Sequence, residues 1–243
     1  MCIFVATLSA EGGSARGGKF LCFDLENPMK SIREELVQCS AKIAKALMPA
    51  SGGSLSAREG DMIWMQPQDL AMDEIGPDDL CGLDLKTGTQ KAGKNKPALE
   101  SNMHLAVYRV RTDVKAVFHT HSAWVTGVIS AGKKFKPMFA EFVNDLGRSG
   151  SVPYFPPTSP AMEKCMEKCA KNHDTIFMIN HGMLAVGVNL KQALYRCVVA
   201  EDAAKSLFAA SIAGKPLFLN QQRVNKILSL DAVKHRTKMM EKK

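Results

Sequence analysis

The sequence lacks the cysteine pairs that mark a disulfide framework or a zinc ribbon. Its 243 residues include seven cysteines, an odd number, and no two of them have the CxxC spacing. Disulfide scaffolds and structural zinc sites use even sets of cysteines at short spacings. We therefore expect no disulfide scaffold and a protein of a reducing compartment, the cytoplasm. The cysteines are at positions 2, 22, 39, 81, 165, 169 and 197.

Long apolar runs are also missing. No stretch of the sequence is long enough to span a bilayer as an apolar helix. The opening residues, MCIFVATLSA, are apolar but carry no basic segment in front, which is not the pattern of a cleaved signal peptide. The sequence therefore predicts no membrane association.

The sequence has few aromatic residues, 7% of the total. The formal net charge is +8, but the 32 lysines and arginines are spread along the whole chain. Nucleic-acid-binding surfaces are instead marked by clustered basic residues with stacking aromatics. We expect no nucleic-acid partner, and we interpret the basic residues at 234–243 as a frayed tail.

What the sequence does contain is enough apolar material, 46% of its residues, for one large core. Residues 1–30, which are rich in glycine, are interpreted as an N-terminal extension of uncertain order. The remaining residues, 31–243, are predicted to form a single domain. No internal repeat and no low-complexity linker divides them.

Periodic patterns predict the elements of that domain. A capping box, Ser31-x-x-Glu34, opens a helix that runs to about Leu47, and short strand pairs follow around turns at 58–61 and 86–88. Further on, a helix at 98–110, a strand at 114–121 and a helix at 122–131 alternate, and a strand pair at 175–187 precedes a helix that Asn189 caps. The predicted fold class is α/β, a single domain with a central, mostly antiparallel sheet between helical layers.

The stretch AVFHTHSAWVTG, residues 116–127, places two histidines at the end of a predicted buried strand. Side chains alternate along a strand, so His119 and His121 are expected to point to the same side. Two imidazoles at one spot are typical either of a metal site or of a pair of hydrogen-bonded structural histidines. The pair alone does not separate these alternatives.

Two further candidate ligands lie where an apolar element ends. Glu100 follows Pro97, and His181 lies in MINHGM, just before a glycine. Three imidazoles and a carboxylate would bind a divalent metal and leave a position open for a substrate. His104, one helical turn after Glu100, is either a partner that orients this carboxylate or a satisfied core histidine.

Two stretches of the chain, KPALESNMHLAVYRVRTDVKAVFHTHSAWVTGVISAG and TIFMINHGMLAVGVNLKQAL, resemble the two signature regions of the class II aldolase and adducin family. The resemblance covers roughly residues 31–213. It implies that His119, His121 and His181 are metal ligands, with Glu100 as a fourth ligand and acid/base. It also implies Zn²⁺, or another divalent metal such as Mn²⁺, and a homotetramer with sites at subunit boundaries.

The activity implied by this resemblance is that of a metal-dependent lyase of aldolase type. Its substrate would be a small hydroxy-carbonyl compound, a sugar or a sugar-phosphate-like molecule, cleaved through a metal-stabilised enediolate. The alternatives are dehydratase, epimerase or decarboxylase chemistry on the same metal site. A non-catalytic, adducin-like interaction module is the alternative from a different class.

The sequence departs from the family's sugar-phosphate members at three phosphate-binding motifs. Ser54 replaces an asparagine, Gln68 and Asp69 stand in the loop where a Thr-Pro-Ser/Thr-Gly motif is usual, and the residues at 98–99 are alanine and leucine instead of serines. The substrate-binding candidates at these positions are therefore Ser54, Gln68 and Asp69. Fewer hydroxyl donors and an added acid make a dianionic phosphate a poor fit.

A second catalytic group is expected in the loop after the helix that follows the two histidines. Aldolases of the family place a tyrosine there, whereas KKFKPMFAEFVNDLG offers Glu141 and Asp145 and no tyrosine. Dehydratases of the family resemble this chain in having a glutamate in this region. We interpret Glu141, between Phe139 and Phe142, either as a partly desolvated proton donor or acceptor or as a salt-bridge residue.

Overall fold

The computed structural model describes residues 31–47 and 52–241. The predicted N-terminal extension, residues 1–30, lies outside the described residues, and the proposed domain boundary at residue 31 stays a prediction. Within the described ranges, none of the helices combines the length and the apolar character that a bilayer crossing needs.

Eight α-helices occur in the described residues, together with a short 3-10 turn at Pro77–Asp79. The helices are α1 (Ile32–Leu47), α2 (Ser101–Val110), α3 (Ala123–Ser130), α4 (Ala140–Asp145), α5 (Pro160–Ala170), α6 (Leu190–Ala213), α7 (Gln221–Ser229) and α8 (Asp231–Glu241).

A single sheet of eight strands forms the centre of the described structure, in the order β4-β3-β2-β1-β5-β8-β7-β6. All neighbouring strands are antiparallel except β6 and β7, which are parallel. The predicted fold class, with a mostly antiparallel sheet, is confirmed. The strands are β1 (Gly53–Glu59), β2 (Met62–Met65), β3 (Cys81–Asp84), β4 (Gln90–Ala92), β5 (Ala116–Thr120), β6 (Ser149–Val152), β7 (Thr175–Met178) and β8 (Gly182–Gly187).

Helices cover both faces of the sheet, and the alternation of side chains assigns each strand residue to one of two cores. Phe118 of β5 packs in the core shared with α1, α3 and α6. Its neighbour Val117 packs in the other core, against α2 and α5. Because side chains alternate, His119 lies on the same face of β5 as Val117, the face covered by α2.

The local signals in the sequence predict most of the elements correctly. The backbone N–H of Ser31 donates to Glu34 at 2.8 Å, and the N–H of Glu34 donates back to the Ser31 hydroxyl at 3.3 Å, so the capping box of α1 forms. Asn189 accepts a hydrogen bond from the N–H of Gln192 at 2.8 Å and caps α6 as predicted, and this helix runs to Ala213.

The prediction of a frayed tail at 234–243 was wrong for residues 234–241, which are helical. α8 extends to Glu241 and packs against α4, α6 and α7. Arg236 of α8 binds both carboxyl oxygens of Asp145, at 2.8 and 3.1 Å, and the Asp145 side chain is almost fully buried. A charge-rich segment without aromatics can therefore be helical when its arginine neutralises a buried acid.

A buried acid on α6 holds the helix that follows the two histidines. Glu201 is 3% exposed, and its carboxyl oxygens accept the backbone N–H groups of Trp124 at 3.3 Å and Val125 at 3.1 Å. The first N–H groups of a helix have no partner within the helix, so Glu201 caps α3 from a distant part of the chain. Glu201 directly follows the apolar run CVVA, which was the signal for a buried acid, and pattern analysis missed it.

Replacing Glu201 by alanine is expected to lower the free energy of unfolding by about 1 to 3 kcal/mol, because two helix N–H groups lose their buried acceptor. Asp202→Ala is the matched control. Asp202 is exposed and forms a surface pair with Lys205 at 3.6 Å, so its loss should change stability by less than ~0.5 kcal/mol. Urea unfolding followed by circular dichroism measures both, and equal values for the two variants would contradict the capping role.

Candidate metal centre

The three candidate histidine ligands meet because β5 and β8 are antiparallel neighbours. His119 pairs with Leu184 and Thr120 pairs with Met183, so the end of β5 adjoins the start of β8. His121 comes directly after β5, and His181 comes directly before β8. The two segments are far apart in sequence, and only the strand pairing brings them together.

The turn between β7 and β8 directs His181 to this place. Asn180 has φ = 57°, in the left-handed region that asparagine tolerates better than most residues. At position 182 a side chain has no room, because a Cβ atom would collide with the carbonyl oxygen of Thr120. Glycine therefore lets β8 approach the end of β5 closely enough for His181 to face the other two imidazoles.

Glu100 reaches the same place from the opposite side, at the start of α2. The sequence predicted a helix over 98–110, but α2 begins at Ser101. Pro97 forms a β-bridge with Pro67, and the N–H of Ala98 donates to the Gln66 carbonyl at 2.9 Å, which keeps this backbone extended. Glu100 is consequently the residue that precedes the helix, and its side chain projects over the end of β5.

The structure brings together all four residues predicted as metal ligands. One potential ligand atom from each of them lies within 4.8 Å of the other three. Glu100 Oε2 is 3.0 Å from His119 Nε2, and Glu100 Oε1 is 3.5 Å from His181 Nε2. The Nε2 atoms of His119 and His121 are 2.8 Å apart. We call this group of four residues the histidine–glutamate cluster.

One hydrogen bond orients the ring of His119. Its Nδ1 lies 3.0 Å from the carbonyl oxygen of Met183, and because a carbonyl can only accept, Nδ1 is the donor of this bond. The other ring nitrogen, Nε2, therefore faces the carboxylate of Glu100 and the imidazole of His121.

The chemistry of the donor set fits a divalent metal. Three imidazole nitrogens and one carboxylate oxygen are ligands that Zn²⁺ and similar ions accept, and the Met183 carbonyl would orient His119 as a ligand. Glu100 Oε1 is in addition a buried oxygen without a hydrogen bond in the described residues. A metal ion would provide the partner that this oxygen lacks.

Electrostatics keep the cluster in the state that metal binding requires. Burial opposes ionisation of Glu100, but the interactions with His119 and His181 together outweigh it and hold the pKa of Glu100 below its usual range. Burial, with smaller contributions from His119 and His181, lowers the pKa of His121 to about 4. At neutral pH the cluster therefore offers an ionised carboxylate and a neutral His121.

His104 belongs to a separate, fully buried network. Its Nε2 lies 2.9 Å from the Ser54 hydroxyl and its Nδ1 lies 2.8 Å from the Ser56 hydroxyl, which in turn is 3.0 Å from the Tyr108 hydroxyl. Burial lowers the pKa of His104 to about 3. The hydrogen bonds favour the interpretation of His104 as a satisfied core histidine, because both ring nitrogens are used by serines.

The three predicted substrate-binding residues lie in different environments. Ser54 pairs with His119 across β1 and β5 but is 3% exposed, with its hydroxyl directed to His104. Gln68 and Asp69 follow β2 and are bonded to each other at 3.2 Å. The N–H of Gln68 donates to the Lys96 carbonyl at 3.1 Å, which ties this loop to the segment that carries Glu100.

Glu141 is not part of the histidine–glutamate cluster. It lies in the first turn of α4 and is exposed, whereas we expected its flanking phenylalanines to desolvate it. Phe142 is buried and Phe139 is half-buried, but the helix turns Glu141 to the opposite side. In the single chain, Phe139 and Phe142 therefore do not cover Glu141, because residues one or two positions apart lie on different faces of a helix.

Comparison with known proteins identifies the chain's relatives. Residues 34–208 match the family model "Class II Aldolase and Adducin N-terminal domain". An L-fuculose phosphate aldolase of Methanococcus maripaludis is 30% identical over 167 residues, which cover 69% of this chain and 90% of the relative. A 5-deoxy-D-ribulose 1-phosphate aldolase of Bacillus thuringiensis is 27% identical over 199 residues, 80% of this chain and 92% of the relative.

The fold has solved counterparts as well. The structure of an L-fuculose 1-phosphate aldolase superposes with a TM-score of 0.75 at 22% identity, covering 81% of this chain and 93% of the other. At this level of identity the superposition establishes a common fold.

The purified protein is expected to hold about one divalent metal per chain, because the histidine–glutamate cluster supplies four suitable donors. The variant with both His119→Ala and His121→Ala should lose it. His235→Ala removes an exposed histidine outside the cluster and should keep it. Elemental analysis after gel filtration gives the stoichiometry, and equal metal in the double variant and the parent would refute the ligand assignment.

Proposed function

The chain belongs to the class II aldolase and adducin family, and from this premise we propose that it is a metal-dependent lyase of aldolase type that cleaves a small hydroxy-carbonyl substrate. The observation that carries the proposal is the convergence of three imidazoles and one carboxylate at the end of the sheet. A non-catalytic interaction module would have no need for four donors arranged around one point.

The proposed metal is Zn²⁺, or another divalent ion such as Mn²⁺, held by His119, His121, His181 and Glu100. A divalent metal supplies Lewis-acid stabilisation for the negative charge that develops on substrate oxygens when the bond next to a carbonyl breaks. Because the three imidazoles would hold the metal in one place, they would also fix the position of the substrate oxygens that bind to it. Cys39 and Cys197, whose pKa values burial raises to about 12, are thiols in the core and take no part.

Glu100 is proposed to move a proton as well as to hold the metal. A carboxylate has two oxygens, so one can face the metal while the other accepts a proton from a hydroxyl of the substrate. The pKa of this carboxyl is held below its usual range, so Glu100 is ionised at neutral pH and is in the state that can accept a proton. A second group, with a different environment, is then needed to return a proton to the product.

We propose Glu141 as that second group, acting at a boundary between subunits. Its exposure in the single chain leaves it accessible to a neighbouring copy. Exposed apolar side chains support such an assembly, which we propose to be a homotetramer. Ile212 is 71% exposed, Leu217 84% and Leu230 48%, and apolar side chains of this size gain free energy when a partner covers them.

We propose that the site accepts a substrate without a phosphate group. Leu99, directly before Glu100, is 72% exposed, and Asp69 is exposed as well, so an apolar side chain and an acid stand where phosphate donors are usual. Gln68 and Asp69 are proposed to bind substrate hydroxyls. Ser54 can bind substrate only by exchanging its hydrogen bond to His104.

The location we propose is the cytoplasm. All five cysteines in the described residues are free thiols, as a reducing compartment requires. The domain we propose for this activity is residues 31–243.

Aldol cleavage by the metal-loaded protein tests the function directly. Release of aldehyde is expected from a small ketose and is expected to stop when a chelator removes the metal. Because phosphate donors are replaced, L-fuculose should be cleaved with a kcat/KM at least equal to that for L-fuculose 1-phosphate. Efficient cleavage of the phosphate ester alone would contradict the proposed substrate class, and metal-independent cleavage would contradict the mechanism.

Glu141→Gln keeps the size and hydrogen bonding of the side chain but cannot exchange a proton. It is expected to lower kcat by roughly a hundredfold or more with unchanged metal content. Glu163→Gln is the control, because Glu163 is a partly exposed acid that pairs with Arg109 at 3.6 Å on α2. Parental turnover in Glu141→Gln would reduce Glu141 to an ion-pair residue.

A further inference from the structure

The loop between β2 and β3 is strongly acidic. Residues 66–80, QPQDLAMDEIGPDDL, contain five acids and no lysine or arginine. Met72 and Ile75 pack in the core beside α1, and the two residues between them, Asp73 and Glu74, are exposed. Because its apolar side chains are buried, this loop is held on the protein with its carboxylates turned outward. We call residues 66–80 the acidic loop.

The acidic loop lies beside the metal centre and keeps most of its charge. The N–H of Gln68 donates to the Lys96 carbonyl at 3.1 Å, in the segment that leads to Glu100. Among the described residues, only one acid of the loop has a basic partner: Asp78 is 3.7 Å from Arg33. The loop is therefore an exposed negative surface.

Exposed lysines and an arginine form a second charged surface around α7. Residues 215–241 contain six lysines and arginines but only two acids. The N–H of Leu219, just before α7, donates to the Pro137 carbonyl at 2.8 Å, and Lys136 lies 5.5 Å from the centre of the Phe218 ring. The loop before α4 thereby adds its own exposed lysines. We define the basic surface as six exposed residues: Lys133, Lys134, Lys136, Lys215, Arg223 and Lys226.

Two acids close to the basic surface are already paired with other residues. Asp145 binds Arg236 at 2.8 and 3.1 Å, and Asp231 lies 3.5 Å from Lys234. The basic surface is therefore left with an excess of positive charge. Leu217, in the same segment, is 84% exposed. Excess charge together with an exposed apolar side chain is typical of a surface that binds a partner.

We propose that the acidic loop of one copy of the chain docks on the basic surface of a second copy. This contact deepens the homotetramer of the proposed function and rests on it. The two surfaces belong to different parts of the chain, so the contact is head-to-tail, and four such contacts can close a ring. Opposite charges select this pairing, because loop on loop or surface on surface would bring like charges together.

The same docking would supply the metal centre with its second proton-transfer group. α7 packs against α4, whose first turn carries Glu141, so this residue borders the basic surface. The acidic loop borders the metal centre of the other copy. Docking therefore brings Glu141 of the partner subunit toward the histidine–glutamate cluster, to which Glu141 does not belong within a single chain.

Paired charge reversals test the contact. Asp73→Lys with Glu74→Lys makes the acidic loop positive, and Arg223→Glu with Lys226→Glu makes α7 negative. Each of these two variants alone is expected to raise the dissociation constant of the assembly at least about tenfold at low salt, because like charges then face each other. Sedimentation velocity measures the assembly, and circular dichroism checks the fold of each variant.

An equimolar mixture of the two variants should assemble like the parent. Every positive loop can then meet a negative α7, and every negative loop can meet a positive α7, so copies of the two variants alternate in the ring. Loss of folding in either variant cannot produce such a recovery. A mixture of folded variants that does not assemble would overturn the proposal.

The parent protein provides an independent measurement that needs no variant. Sodium chloride at about 0.5 M screens charges and is expected to raise the dissociation constant of the assembly at least about tenfold relative to low salt. An assembly that salt leaves unchanged would overturn the proposal. So would a parent that sediments as a monomer, and the basic surface would then serve a partner of another kind.

Glu59→Lys with Asp61→Lys is the matched control. It makes the same charge change on the turn between β1 and β2, at the other end of the sheet from the metal centre. Its dissociation constant should stay within about threefold of the parent, and a loss equal to that of the loop variant would overturn the pairing. These measurements use no substrate, so an absence of lyase activity would refute the proposed function without changing their outcome.

Discussion

The antiparallel pairing of β5 with β8 is the interaction on which the rest of the structure depends. It fixes the register in which His119 lies opposite Leu184, and it brings the histidines that follow β5 and precede β8 to one place. The same pairing puts the Met183 carbonyl within 3.0 Å of His119 Nδ1, which orients the ring. A shift by one residue would turn His119 to the other core, because side chains alternate along a strand.

The two faces of the sheet pack against different helices, and the face covered by α2 carries buried polar side chains as well as apolar ones. On the face of α2, Ser54, Ser56, His104 and Tyr108 form a closed hydrogen-bonded group beneath the cluster. A buried polar group of this kind stabilises one arrangement only when all of its members are satisfied. It thereby gives α2 a defined rotation on the sheet, and the residue just before that helix, Glu100, is held over the end of β5.

Local patterns predicted what depends on neighbours in sequence. The capping box at Ser31, the cap at Asn189 and the alternation of His119 with Phe118 are all properties of short segments, and the structure has them as predicted. Sequence patterns could name Glu100 and His181 as candidates but could not show their convergence, which depends on the strand order. The start of α2 and the capping of α3 by Glu201 were missed because their partners, Gln66 and Val125, are distant in the chain. The exposure of Glu141 was missed because helix rotation, not the identity of adjacent residues, decides which side chain is covered.

The turn between β7 and β8 has a consequence for how the length of this chain can vary. Surface connections ordinarily accept inserted or deleted residues, since only their ends are constrained. Here the connection consists of Ile179, Asn180 and His181, with a left-handed backbone at Asn180 and no space for a side chain at position 182. An inserted residue would move His181 by more than about 3 Å along or around the turn, beyond the reach of the other two imidazoles. Related chains that keep this centre are therefore expected to keep the number of residues in this connection.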